Sequence, residues 1–187
     1  FVKVQSSTIE NKYLRVKSIN IGACLYEVYD KKKKINLILN LGLTKNYISK
    51  NLYVGATCGR YAGRISNSKF NIKNKIYKLS DNEGKNTLHG GKKGFDRLEW
   101  KINHHSKNKI IYQLLSKNLD QGFPGDLNSE CIFEIKNKSL FIKYQYKSNQ
   151  LTHVSLTNHS YWNLNKDKNE TIFNHDLKIN SEKYLEV

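Results

Sequence analysis

Apolar side chains recur along this 187-residue chain at every second position far more often than at helical spacing. Ile21, Ala23 and Leu25 alternate. Ile35, Leu37, Leu39 and Leu41 alternate too, with Asn36 and Asn40 on the opposite face. Successive side chains of a strand point to opposite sides, so such runs predict strands with one buried face. Phe70 and Ile72 precede Lys73-Asn74-Lys75, and Ile76 follows it, which is the pattern of a hairpin around a polar turn. Cys131, Phe133 and Ile135 alternate up to a second turn near Asn137-Lys138, and Leu140, Ile142, Tyr144 and Tyr146 alternate on the way back. Asn suits such turns because it accepts left-handed backbone angles. Many short strands joined by polar turns predict an all-β fold, a sandwich or a barrel. No repeat, linker or composition break divides the chain, so residues 1–187 are expected to form one domain.

Two stretches break the alternation: Gly55–Gly94, dense in Gly, Asn, Arg and His, and Leu156–Asn165. Polar loops on a β scaffold are where function concentrates. The segment Gly55-Ala56-Thr57-Cys58-Gly59-Arg60-Tyr61-Ala62-Gly63-Arg64-Ile65 sets two arginines among small residues. Their planar donors suit carboxylates or sugar hydroxyls, and an internal ion pair is an equal reading. The spacing fits no phosphate-binding loop. In Asn86-Thr87-Leu88-His89-Gly90-Gly91 a histidine precedes two glycines, so a ligand could approach it closely. In Leu156-Thr157-Asn158-His159-Ser160-Tyr161-Trp162-Asn163 a histidine has neighbours able to fix its tautomer and aromatics able to stack on a sugar. For both histidines a structural polar network is the competing reading. His104, His105, His153 and His175 lie among Lys and Asn and read as surface residues. No spacing of zinc ligands is present, so no metal is expected.

Composition changes this picture little. Tyr, Phe and Trp number 12, 7 and 2, enough to build a core although the hydrophobic fraction is only 38%. The net charge of +16 suggests a nucleic-acid binder. Against that, only Arg15, Arg60, Arg64 and Arg97 are arginines, and the lysines are scattered apart from the run Lys31–Lys34. Base readers favour the fork of Arg. A chain rich in Lys, Asn and Ile fits an AT-rich coding sequence better than a selected basic surface, so neither nucleic acid nor membrane is expected as a partner. Cys24, Cys58 and Cys131 are odd in number and widely spaced, and read as buried free thiols in a reducing, cytoplasmic compartment. No run reaches the length of a membrane-spanning helix.

Four motifs in order, GATCGRYAGRI, TLHGGKKGFD, the turn Gly122-Phe123-Pro124-Gly125 and LTNHSYWNL, resemble the aldose 1-epimerase (galactose mutarotase) family. The resemblance runs from about Ile21 to the last residue. It implies a large antiparallel β-sandwich of the galactose mutarotase type, incomplete on its C-terminal side. It implies interconversion of the α and β anomers of a free hexose, galactose or glucose, without cofactor or metal, by a monomer or homodimer. His159 matches the general acid, and His89 a second histidine near the reacting centre. Arg64, His89, Asn158 and Tyr161 fall among the substrate-binding positions. Gly63 stands where many members have Asn, which removes one sugar contact, and Trp162 replaces the usual Phe. The catalytic Glu and a substrate-binding Asp are expected beyond Val187, since Glu182 and Glu186 do not match the base. The chain by itself is therefore expected to be inactive. The alternatives are a hexose-6-phosphate 1-epimerase, with Arg60 and Arg64 on the phosphate, and a non-catalytic carbohydrate-binding remnant.

Overall fold

Two antiparallel four-stranded sheets face each other across one apolar core in the computed structural model, which describes residues 3–49 and 52–183. The first sheet runs in chain order: β1 (Ser6–Glu10), β2 (Leu14–Ile19), β3 (Cys24–Asp30) and β4 (Ile35–Asn36). A single helical turn, α1 (Asn46–Ser49), follows. Five short strands come next: β5 (Thr57–Cys58), β6 (Arg64–Ile65), β7 (Lys69–Ile72), β8 (Lys75–Lys78) and β9 (Thr87–Leu88). The second sheet holds β10 (Lys101–His105), β11 (Lys109–Ser116), β12 (Leu127–Lys136) and β13 (Ser139–Ser148), again in order. β14 (Thr157–Asn158) then returns to pair with β5.

The core explains the pairing. Ile9, Val16 and Val28 of the first sheet meet Ile110, Tyr112, Cys131, Phe133 and Ile135 of the second in one buried cluster. Each fully buried large apolar side chain contributes about 1.5–3 kcal/mol by leaving water. A buried hydroxyl is costly unless bonded, and Tyr112 OH meets Ser18 Oγ across the sheets at 2.8 Å. The three cysteines are free and buried, and burial raises each thiol pKa.

The β12–β13 hairpin follows the sequence period. Residues Leu127, Ser129, Cys131, Phe133 and Ile135 are buried, and Lys136 pairs with Ser139 around Asn137-Lys138, with Asn137 at φ 52°. Tyr146, expected on the inner face, is instead exposed. The β7–β8 turn is tighter than expected. Lys73 and Asn74 form it alone at φ 47° and 64°, both positive as a two-residue hairpin loop demands, and Lys75 already belongs to β8.

Two expected strands differ. Residues Ser18–Leu25 are all buried, because Gly22 and Ala23 turn the chain at positive φ between β2 and β3. The alternation at Ile35–Leu41 breaks after β4. Asn36 Oδ1 accepts the Val28 N–H at 3.0 Å, and Asn36 Nδ2 donates to the Ile38 carbonyl at 2.9 Å. The side chain thus takes the ladder positions of a backbone unit, so Ile38 is buried while Leu39 is 43% exposed.

Candidate active site

The Gly55–Ile65 segment is a spine that binds the two histidine segments at its opposite ends. At its start, Gly55 N–H donates to the His159 carbonyl (2.9 Å) and His159 N–H to the Ala56 carbonyl (2.8 Å), extending the β5–β14 pair. At its end, β6 pairs with β9, setting Arg64 opposite Leu88 and beside His89. Between them, Gly90 packs so closely that a Cβ there would lie 1.9 Å from the Gly59 carbonyl oxygen. Only glycine fits that contact, and its φ of 92° suits glycine as well.

The two imidazoles meet edge to face, with centroids 5.2 Å apart and planes at 88°. Tyr53 contacts both, edge-on to His89 at 4.8 Å and stacked on His159 at 5.9 Å. Tyr161 leans on His159 at 5.1 Å. His89 is gripped by Gly63 twice. Its N–H donates to the Gly63 carbonyl, and the Gly63 N–H donates to Nδ1, each at 3.0 Å. An Nδ1 that accepts puts the proton of the neutral ring on Nε2. Burial, then the charges of His159 and Arg64, hold the His89 pKa below its ordinary value. His89 is therefore a neutral Nε2–H donor. Gly63 itself sits at φ 85°, a backbone that Asn tolerates next best after Gly, and a Cβ there would meet nothing within 4 Å.

Arg64 is exposed and locked into a two-pronged pair with Glu83, Nε to Oε2 at 2.6 Å and Nη2 to Oε1 at 2.8 Å. Arg60 points the other way. It is buried, and its two terminal nitrogens donate to the carbonyls of Pro124, Gly125, Ser116 and Lys117 and to Ser116 Oγ. Ser116 Oγ donates on to Asp120 Oδ2 at 2.6 Å, which offsets the charge. Asn158 spends its amide on the loop, Nδ2 donating to the Gly55 carbonyl and Oδ1 accepting from Ser160 N–H. One amide hydrogen and one lone pair remain.

Of the expected site residues, His159, His89 and Tyr161 thus stand together, Arg64 flanks His89, and Asn158 lies beneath His159. Trp162 is bridged to Ile38 at the sheet edge. Of the expected surface histidines, His104, His105 and His153 are exposed. His175 is half-buried, its Nε2 accepting from Leu164 N–H. Glu182 is exposed, and Glu186 and Val187 lie outside the described residues. Tyr53 and Glu83 carry no motif spacing that marks them in advance. Neither does the role of Asp96, whose buried carboxyl has Oδ1 without a partner among the described residues and Oδ2 3.7 Å from Arg97 Nε. Burial raises its pKa from 3.8 to about 6. No group of three His, Cys, Asp or Glu that could hold a metal ion, and no helix long and apolar enough to cross a membrane, occurs among the described residues.

Comparison with known proteins bears on family and fold. The galactose mutarotase of Sus scrofa is 34% identical over 187 residues, covering 98% of this chain and 54% of that protein. The aldose 1-epimerase of Haemophilus influenzae is 35% identical, with 98% and 55% covered. The chain thus spans about half the length of the curated relatives it matches. Among solved structures, an aldose epimerase homologue from C. elegans superposes with a TM-score of 0.81 at 28% identity, over 86% of this chain and 51% of that one. The galactose 1-epimerase of Lactobacillus acidophilus gives 0.77 at 27%, over 88% and 54%. The aldose 1-epimerase family model matches residues 5–187, and the chain belongs to that family.

Proposed function

We propose that this chain supplies the acid side of a general acid–base site that interconverts the α and β anomers of a free hexose, galactose or glucose. The observation that carries the reading is the His89–His159 pair, with His89 fixed as a neutral Nε2–H donor by Gly63. In this reading His159 protonates the ring oxygen as the C1–O bond opens. His89 donates to the same region of the sugar and holds it there. The base removes the anomeric hydroxyl proton, the aldehyde carbon rotates, and the ring closes on the other face. Arg64 offers the free N–H groups that Glu83 leaves to sugar hydroxyls, Tyr161 stacks on the sugar face, and the spare amide hydrogen of Asn158 serves the sugar. The base is a Glu outside these 187 residues. The buried thiols favour a reducing, cytoplasmic setting.

A phosphosugar reading is less well supported, because Arg60 is spent on backbone carbonyls and leaves Arg64 without a basic companion from its own motif. The test is titration of residues 1–187 with galactose, glucose and glucose 6-phosphate, following the imidazole signals of His89 and His159. Free hexoses should move both signals, and polarimetry of fresh α-galactose should run at the buffer rate. A response to the phosphosugar alone, or mutarotation above the buffer rate, would overturn the substrate or the placing of the base respectively. In a chain that also carries the base, His159→Gln should lower turnover by about 10²–10⁴-fold.

A further inference from the structure

Tyr53 lies outside every motif considered above, yet its ring touches both imidazoles. Its backbone is unusual as well. Tyr53 stands at φ 52°, a region that a bulky side chain rarely adopts, and its carbonyl accepts the Ala56 N–H at 3.0 Å to close the turn. His89, the ring it meets edge-on, is also at positive φ, 50°. Two facing aromatic residues on separate loops are thus both held in the left-handed region. Strained backbone of this kind persists where the surroundings over-determine it, and it clusters at working sites. Tyr53 is also half-buried. Glycine would adopt the same φ freely. What glycine could not supply is the ring.

We propose that Tyr53 is the positioning residue of the two imidazoles: its ring, edge-on to one and stacked on the other, sets the right angle at which His89 and His159 face the sugar. The three rings form a closed triangle of centroids at 4.8, 5.9 and 5.2 Å, so moving any one displaces the other two. Tyr161 supports only His159, and Gly63 grips only His89, so Tyr53 alone among these contacts couples the pair. Both contacts are made by the ring.

The role in sugar handling rests on the function proposed above, whereas the effect on the rings does not. The first measurement therefore uses residues 1–187 without sugar, reading the His89–His159 ring-to-ring cross-relaxation and tautomer signals by NMR, with thermal melting alongside. Tyr53→Phe should keep the wild-type signals. Tyr53→Ala and Tyr53→Gly should both lose the cross-relaxation, while Tyr53→Gly, relieved of the strained φ, melts above Tyr53→Ala. That split separates a positioning role from a structural one, in which the signals would fall only as far as stability falls. Wild-type ring signals in Tyr53→Gly, or their loss in Tyr53→Phe, would overturn the proposal. The second measurement is galactose affinity, expected to drop about tenfold in the Ala and Gly variants, the scale of two aromatic contacts, and to persist in Phe. A wild-type chain that binds no hexose would remove the proposed function and leave the ring result to stand or fall by itself.

Discussion

The Gly55–Ile65 segment carries an arginine at its middle and another near its end, and the two have opposite surroundings. Arg60 is sealed among carbonyl oxygens beneath the Gly122–Gly125 turn, with Phe123 packed 5.8 Å from its guanidinium carbon. Arg64, four residues on, lies in solvent against a single carboxylate. A buried guanidinium costs much to desolvate and is tolerated because almost every N–H has an acceptor; only Nε is left without one. An exposed guanidinium costs little and holds little, and its remaining donors stay available. The lesson is that one short motif divides its labour: the inner arginine secures the scaffold, and the outer one stays in solvent, where we propose that it meets the sugar.

Removing the inner arginine gives the largest expected effect. Arg60→Ala strands the carbonyls that it satisfied and should destabilise the fold by about 3–5 kcal/mol, read as a lower urea midpoint at unchanged slope. A loss under about 1 kcal/mol would show that water replaces the guanidinium, and the contrast with Arg64 would collapse.

Asp96 sharpens the same contrast, being a buried carboxyl whose Oδ1 has no donor among the described residues. Its folded pKa is raised from 3.8 to about 6, so the folded state holds its proton more tightly than the unfolded state. Its stability contribution is therefore full below about pH 4 and is lost as pH rises through about 6. Asp96→Asn removes that loss and should stabilise the chain by up to about 3 kcal/mol at pH 8 and by little at pH 4. Melting curves at the two pH values would refute this by showing equal shifts.

The outer arginine gives the smallest structural effect. Arg64→Ala should leave the unfolding midpoint unchanged while weakening galactose binding about tenfold, as the loss of a charged hydrogen-bond donor implies. Unchanged binding by titration would mean that Arg64 does not reach the sugar.

Much of this was legible in the sequence where one physical rule acts alone. The β12–β13 hairpin follows side-chain alternation, because its inner face is buried and its turn holds Asn137. His89 and His159 were findable because glycines and aromatics surround them locally. The rule fails where a side chain replaces backbone, as Asn36 does, or where residues on both faces are covered, as in Ser18–Leu25. The period of β11 is hidden although Ile110, Tyr112 and Leu114 alternate, because Ile111 and Leu115 on the other face blur it. Tyr53, Glu83 and the different fates of the two arginines depend on long-range contacts that no local spacing encodes.

The pairing of β5 with β14 also sets an order of events during synthesis. The bond from Asn158 to Gly55 joins residues 103 apart in the chain. At a ribosomal pace of about 5–20 residues per second, β5 waits roughly 5–20 s for its partner strand to emerge. The first sheet, the Arg60 anchor and the His89 loop can all settle in that interval, whereas His159 arrives to a surface already built. The two histidines therefore belong to different moments of the chain's birth, and their pair forms only with the later one.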